Sequence, residues 1–258
     1  KERILVLDGA MGTMVQRYKL TDQDYLGERF QQHPIDLKNS NEALMLVRPD
    51  IIEDIHTQYL EAGADIIETN TFNANAVSLT DYGLVELARE MNLVAAQIAR
   101  DAVNKIIAKD PTRQCFVAGA LGPQTRSATV VIDSDHPAER NVTFDELYAG
   151  YYEQAQALMD GGVDLLLCET TFDTLNLKAA LFAIQTFFAD IGRSLPIMAS
   201  LTITDLAGGN LSGQNLEAMW NSISHVPLLS VGLNCGFGPD VYRPLVEELS
   251  GLSPIYLS

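Results

Sequence analysis

Residues Leu228–Gly238 read LLSVGLNCGFG and indicate the fold class most clearly. Its first part, Leu228–Leu233, is a nearly continuous apolar run, which is typical of a strand buried on both faces of a parallel sheet. The run ends at Asn234-Cys235 and opens into a loop bounded by glycines. Because α/β proteins place their chemistry at the carboxyl ends of such strands, Cys235 is the first candidate for a metal-bound or nucleophilic thiolate. The alternative is that Cys235 is a small buried hydrophobic residue, as free cysteines often are.

Similar short apolar runs recur along the chain and alternate with segments of helical periodicity. Leu228–Leu233 is the sixth of seven predicted strands along the chain. The other six are Ile4–Leu7, Ala64–Thr69, Cys115–Leu121, Val163–Cys168, Pro196–Leu201 and Pro254–Ser258. The predicted helices are Asp50–Ala62, Leu84–Ala108, a helix capped by Thr143 and running to Asp160, Leu175–Ala189, Leu216–Ser224 and Asp240–Leu249. Two polar segments, Tyr18–Asn41 and Gln124–Val142, are predicted as long loops. The alternation of strand and helix predicts βαβ units and therefore parallel strands.

Two architectures fit this pattern, the eight-stranded (β/α)₈ barrel and the open doubly wound sheet. Polar residues follow nearly every predicted strand, and only a closed ring lets all of them converge on one site: Asp8, Thr71, Glu169, Thr202 and Asn234. We therefore predict an α/β fold of the (β/α)₈ barrel type, forming a single domain over residues 1–258 because no linker divides the chain. The seventh predicted strand has no helix after it, so we expect a barrel truncated within that strand and a chain that is part of a longer one.

Composition excludes several classes of partner. Lys and Arg number 17 against 34 Asp and Glu, and 17 − 34 gives a net charge of −17, which would repel nucleic acids and anionic membranes. No apolar run approaches the roughly 20 residues that span a bilayer. Three cysteines at wide spacings do not form a disulfide framework, so a cytoplasmic location is expected.

Several common catalytic motifs are missing from the sequence. No glycine-rich phosphate-binding motif follows the first predicted strand, and no P-loop occurs. None of the four histidines lies at a predicted strand end, which argues against a Ser/His/Asp triad. No predicted strand ends in lysine, which argues against a Schiff-base aldolase barrel.

The carboxylates at two strand ends indicate a cationic ligand. Glu169 directly follows the apolar run VDLLLC, and a carboxylate buried there without a partner would be costly. Few basic residues lie at the other strand ends, so the ammonium group of a substrate is one candidate partner and a purely structural role is the other. The same reasoning applies to Asp8. Zinc also suits a cysteine site, but Cys235 alone is not one.

Seven motifs together resemble the homocysteine S-methyltransferase family over essentially the whole chain. They are LDGAMGT, ADIIETNTFNANAVSL, GALGP, NVTFDELY, GGVDLLLCETTFDTLN, LSGQNLEA and VGLNCGFGPD, in that order. Within the family, the Tyr18–Asn41 insertion and RNVTFDEL look most like the amino-terminal homocysteine-binding module of cobalamin-dependent methionine synthases.

The resemblance implies a barrel that carries zinc on three cysteines, with Cys235 as one ligand and two more expected beyond Ser258. It implies catalytic roles for Cys235 and Glu169. It also implies that the amino acid part of homocysteine is bound by Asp8, Gly9, Thr71 and Glu169, with Asn234 orienting the metal loop. The zinc-bound thiolate of homocysteine would attack a methyl group carried by methylcobalamin, which is recharged from methyltetrahydrofolate. Both cofactors would bind other modules of the same longer chain.

Two alternatives remain open on the sequence. A betaine- or S-methylmethionine-dependent homocysteine methyltransferase would share most of these motifs. A non-catalytic fragment that lacks metal would belong to a different functional class.

Overall fold

The computed structural model describes residues 3–258, and within them strands and helices alternate. The strands are β1 (Ile66–Glu68), β2 (Phe116–Leu121), β3 (Leu165–Thr171), β4 (Ile197–Leu201), β5 (Ser230–Leu233) and β6 (Tyr256–Leu257). The helices are α1 (Met11–Arg17), α2 (Asp22–Leu26), α3 (Leu44–Val47), α4 (Pro49–Ala62), α5 (Ala76–Leu79), α6 (Ala88–Lys109), α7 (Phe144–Asp160), α8 (Thr174–Ile191), α9 (Leu216–Ile223) and α10 (Pro239–Leu252). In residues 3–258, no helix has both the length and the apolar character that crossing a membrane requires.

The strands follow one another in the sheet in the order of the chain, from β1 to β6. Strand β1 pairs in parallel with β2, and β3, β4, β5 and β6 pair in parallel in succession. This order, with a helix between most consecutive strands, confirms the predicted α/β class and is the strand order of a (β/α)₈ barrel. The part of the chain that the structure describes holds six strands, and each lies within a predicted one or extends it at its carboxyl end.

The first predicted strand, Ile4–Leu7, is present only as an isolated bridge. Leu7 pairs in parallel with Ile66, and the Asp8 amide donates to the Ile66 carbonyl at 2.9 Å. Ile4 and Val6 are exposed, so this segment lacks the burial on both faces that stabilises a central strand. It nevertheless fixes the position of Asp8 beside the carboxyl end of β1.

The chain divides into two compact units. The first holds the described residues up to Ala120 together with Gln156–Leu165, and the second holds Leu121–Ala155 with Leu166–Ser258. In the first unit α4 packs against α6 over an apolar core that includes Ile52, Ile55, Met91 and Ala95. In the second unit α8 and α9 bury most of their apolar side chains, Ile184 and Trp220 among them, whereas α10 buries Leu249 and leaves its other apolar side chains partly or wholly exposed.

The loop predicted over Tyr18–Asn41 contains the short helix α2. Thr21 caps this helix, because the Thr21 amide and hydroxyl both donate to Asp24 at 2.8 and 2.7 Å. Arg48 then donates to the other oxygen of Asp24 at 2.8 Å and so ties the insertion to the start of α4. Helix α1 is a second element that hydrophobic periodicity did not predict.

Candidate active site

Cys235 is an exposed thiol at the carboxyl end of β5, so the alternative of a small buried hydrophobic residue is wrong. Its backbone adopts the left-handed conformation, with φ of 59°. The other two cysteines, Cys115 and Cys168, are buried, and all three are free thiols. Burial and the neighbouring Glu169 raise the pKa of Cys168 to about 12, which makes this thiol inert at neutral pH. Cys235 is therefore the accessible thiol of the three.

Asn234 joins the ends of three neighbouring strands. Its Oδ1 accepts hydrogen bonds from the Thr170 amide at 3.0 Å and from Ser200 Oγ at 2.7 Å. Its Nδ2 donates to Thr170 Oγ1 at 2.7 Å and to Cys235 Sγ at 3.4 Å. Because both ends of the amide are engaged, Asn234 holds one orientation and presents a donor to the thiol sulfur.

Glu169 lies at the end of β3 and is connected to Cys235 through Thr170. The Thr170 hydroxyl is 3.4 Å from Glu169 Oε2 and 3.8 Å from Cys235 Sγ. Burial raises the pKa of Glu169 to about 7, and the hydrogen bond from Thr170 opposes that shift. A carboxyl group with this pKa changes its charge near neutral pH, which is a common property of functional carboxylates.

Two of the five non-glycine residues with positive φ in the described chain lie at this strand end. Thr170 has φ of 55° and Cys235 has φ of 59°, and neither is glycine. The β3–β4 register also shifts between Cys168 and Thr171. Residues in such conformations each cost roughly 1–3 kcal/mol and cluster at functional sites. The two strained residues contact each other, which supports a functional role for this cluster.

In the first unit, Asp8 and Gly9 lie at the end of the bridged segment. Asp8 Oδ2 accepts the amide of Glu68 at 3.1 Å, which places this carboxylate at the carboxyl end of β1. A Cβ added at Gly9 would lie 3.0 Å from Tyr59 Oη, so the turn accepts a side chain there only if Tyr59 shifts. Glycine is therefore favoured at position 9 for a steric reason, in addition to the binding role predicted for Asp8 and Gly9.

Thr71 is fully buried in the first unit. Its hydroxyl donates to the Ala120 carbonyl at 2.7 Å and lies 2.6 Å from Thr69 Oγ1. These bonds tie the end of β1 to the end of β2. The predicted contact between Thr71 and substrate stays a prediction.

The described residues do not by themselves fit a zinc ion. Within residues 3–258, no group of three or more His, Cys, Asp or Glu side chains could hold a metal. Cys115 precedes the first residue of β2, at the amino end of that strand, and Cys168 lies in the interior. Cys235 is thus the single cysteine placed at a strand's carboxyl end and open to a ligand.

Sequence reasoning missed several residues of these clusters. Glu68 ends the apolar run of β1 just as Glu169 follows that of β3, so the same rule could have found it. Ser200 is a polar residue inside the apolar run of β4, which was a usable signal. Thr170 carried no such signal, since its role depends on its backbone conformation. Tyr242, whose hydroxyl contacts the Asn234 and Cys235 carbonyls, carried none either, since its role depends on contacts between elements.

The profile of the homocysteine S-methyltransferase family matches residues 5–258. The chain therefore belongs to the homocysteine S-methyltransferase family.

Solved structures resemble the fold. The homocysteine methyltransferase MmuM from Escherichia coli in its metallated form has a TM-score of 0.78 and 23% identity, over 100% of this chain and 83% of that one. Its oxidized form gives a TM-score of 0.77 and 23% identity, over 98% of this chain and 80% of that one. Histamine dehydrogenase from Rhizobium sp. 4-9 is more distant, with a TM-score of 0.53 and 12% identity over 81% of this chain and 37% of that one. These likenesses support the fold alone.

Proposed function

We propose that the chain binds homocysteine and holds its sulfur for methylation to methionine, with Cys235, Asn234 and Glu169 as the working residues. Family membership supports methyl transfer to homocysteine as the reaction class. The observation that carries the residue assignment is the connected cluster at the ends of β3 and β5. There an exposed thiol, a fixed amide donor and a carboxyl group with a pKa near neutrality lie in one hydrogen-bonded network.

Glu169 is proposed to pair with the ammonium group of homocysteine. A partly buried carboxylate without a cationic partner takes up a proton more readily, which agrees with its raised pKa. A bound ammonium would favour the ionised form and so gain a charge-assisted hydrogen bond. For Asp8, Gly9 and Thr71, which belong to the first unit, a substrate-binding role is proposed on the family resemblance alone.

Cys235 is proposed as a zinc ligand in the complete site. Zinc in such a site would keep the homocysteine sulfur deprotonated and therefore nucleophilic. The resemblance implies three cysteines, of which residues 3–258 supply one, so these residues alone do not make the site. Three free cysteines without a disulfide agree with a reducing, cytoplasmic setting.

The proposed methyl donor is methylcobalamin, regenerated from methyltetrahydrofolate on other modules. The support is the similarity of Tyr18–Asn41 and of RNVTFDEL to the amino-terminal modules of cobalamin-dependent methionine synthases. Betaine and S-methylmethionine are the other donors of the family. Offering each donor in turn to the purified protein with homocysteine decides among them.

Homocysteine binding tests the substrate assignment. Titration calorimetry at pH 8 compares wild type with Glu169→Gln, and with Glu217→Gln as a matched control on the exposed surface of α9. We expect wild type and Glu217→Gln to bind homocysteine equally. Loss of a charge-assisted bond in Glu169→Gln should weaken binding about tenfold or more. Equal affinity in all three proteins would overturn the role of Glu169, and no binding by any of them would overturn the substrate assignment.

A further inference from the structure

The backbone that carries the Cys235 thiol is held by a side chain from the following helix. Tyr242 lies in the first turn of α10, and its hydroxyl donates to the Asn234 carbonyl at 3.1 Å. The same hydroxyl is hydrogen-bonded to the Cys235 carbonyl. One phenol group therefore holds two successive carbonyl groups on either side of the left-handed residue.

A second side chain supports the same turn from β4. Thr202 Oγ1 donates to the Asn234 carbonyl at 3.0 Å, and the Asn234 amide donates to the Leu201 carbonyl at 3.0 Å. These two bonds fix Asn234, whereas the Cys235 carbonyl accepts the Phe237 amide at 2.9 Å as well as the Tyr242 hydroxyl. The left-handed conformation of Cys235 is disfavoured for a residue with a Cβ, so it persists only where surrounding bonds maintain it.

The following residue leaves little room for another arrangement. Gly236 has φ of 76°, and a Cβ placed there would lie 2.6 Å from the Ile203 carbonyl oxygen and 3.1 Å from Tyr242 Oη. Glycine at this position lets the turn approach both Ile203 and Tyr242. The tyrosine hydroxyl is therefore packed into the turn and is not merely near it.

We propose that Tyr242 is a positioning residue for the Cys235 thiol: its hydroxyl holds the left-handed turn that points Sγ at Asn234 Nδ2 and Thr170 Oγ1. The role of Tyr242 in catalysis rests on the proposed function, whereas its effect on the position of the Cys235 thiol is present without any substrate. Without the hydroxyl, the Cys235 carbonyl loses one of the two hydrogen bonds named above, so the left-handed conformation is less well maintained and Sγ leaves its two partners. The effect is on where the thiol points, so folding of the rest of the chain is preserved.

The test is the rate at which the thiol of Cys235 reacts with Ellman's reagent in native protein treated with EDTA. Cys115 and Cys168 are buried, so Cys235 gives the fast phase, and Cys235→Ser should abolish that phase. Loss of a hydrogen bond of ordinary net strength should change the rate of the fast phase about fivefold in Tyr242→Phe, because Sγ leaves its two partners. The matched control is Tyr152→Phe, which removes the hydroxyl that donates to Asp190 at 2.8 Å on the surface of α7, and its rate should equal that of wild type.

A Tyr242→Phe rate equal to wild type, with an unchanged thermal unfolding midpoint, would overturn the proposal. Should Tyr242→Phe fail to fold, Thr202→Val provides a second measurement, because it removes the other hydroxyl on the Asn234 carbonyl and should change the rate of the same phase. An unchanged rate in that variant would equally overturn the inference. With active protein, Tyr242→Phe should lower kcat for methyl transfer more than it raises KM for homocysteine. The reagent assay contains no homocysteine, so its failure is separate from a failure of the proposed function.

Discussion

His56 makes the stability of this protein depend on pH. The side chain lies in α4, is fully buried, and neither ring nitrogen has a hydrogen-bond partner in the described residues. Burial lowers its pKa from 6.5 to about 4, because the charged imidazolium would have to leave water without a compensating bond. The folded chain therefore keeps His56 neutral at pH values where the unfolded chain protonates it.

The sign and size of the effect follow from this difference. Between pH 6.5 and pH 4 the unfolded state binds a proton that the folded state does not, so the free energy of unfolding falls as the pH falls. At 1.36 kcal/mol per pKa unit, a lowering of about 2.5 units corresponds to a loss of about 3 kcal/mol between pH 7 and pH 4. At higher pH the contribution is constant.

Urea unfolding of wild type and His56→Leu at pH 7 and pH 4 measures this loss. Carboxylates also titrate in this range, but they are common to both proteins and cancel in the comparison. We expect the drop in unfolding free energy to be smaller by about 3 kcal/mol in His56→Leu. As a control, the exposed His225→Leu should show the same drop as wild type. If the free energy of unfolding falls as much in His56→Leu as in wild type between pH 7 and pH 4, the buried, unpaired imidazole is not the cause of the pH dependence.

Two further predictions concern the site and the core. The KM for homocysteine should rise as the pH falls from 8 to 6. The reason is that the pKa of Glu169 is raised to about 7, so its carboxylate becomes neutral in this range and no longer attracts the ammonium group. Steady-state assays should show this rise in wild type and a flat pH profile in Glu169→Gln. Gly161→Ala should lower the free energy of unfolding in urea by about 1–3 kcal/mol. The added Cβ would press on Ala96 Cβ and lie 2.9 Å from the Leu93 carbonyl oxygen. An unchanged midpoint of urea unfolding would contradict this packing.

The strands were predictable because burial on both faces of a parallel sheet leaves a plain apolar signature. The run that ends at Asn234 became β5, and the run ahead of Glu169 became β3. The predicted capping box is also confirmed: the Thr143 amide donates to Glu146 Oε2 at 2.8 Å, and the Glu146 amide donates to Thr143 Oγ1 at 3.2 Å. These features depend on local sequence alone.

The network around the thiol was not predictable in the same way. Ser200 and Thr170 reach Asn234 because β3, β4 and β5 lie side by side in a particular register, with a shift near Thr171. No local pattern encodes that register. The left-handed turn at Cys235 likewise depends on Tyr242, which lies seven positions later in the sequence. A tyrosine in a helix gives no sequence signal of such a contact.

Helix α1 and the exposed edge near Ile4 show a second limit. No helix is predicted near the Asp8-Gly9 pair, yet helix α1 begins at Met11. Gly12 within this short helix lowers the helical propensity that a sequence pattern relies on. Burial of Met14 and Val15 against the first unit's core supplies the stabilisation instead.

Whether Cys235 is needed to form methionine from homocysteine is decided by one assay. Purified protein that carries the complete three-cysteine site is incubated with homocysteine and methylcobalamin, and methionine is quantified by mass spectrometry for wild type, Cys235→Ala and the matched control Cys115→Ala. We expect methionine formation in wild type and Cys115→Ala and its loss in Cys235→Ala. Methionine formation by Cys235→Ala at the wild-type rate would contradict the assignment of Cys235 as the working thiol.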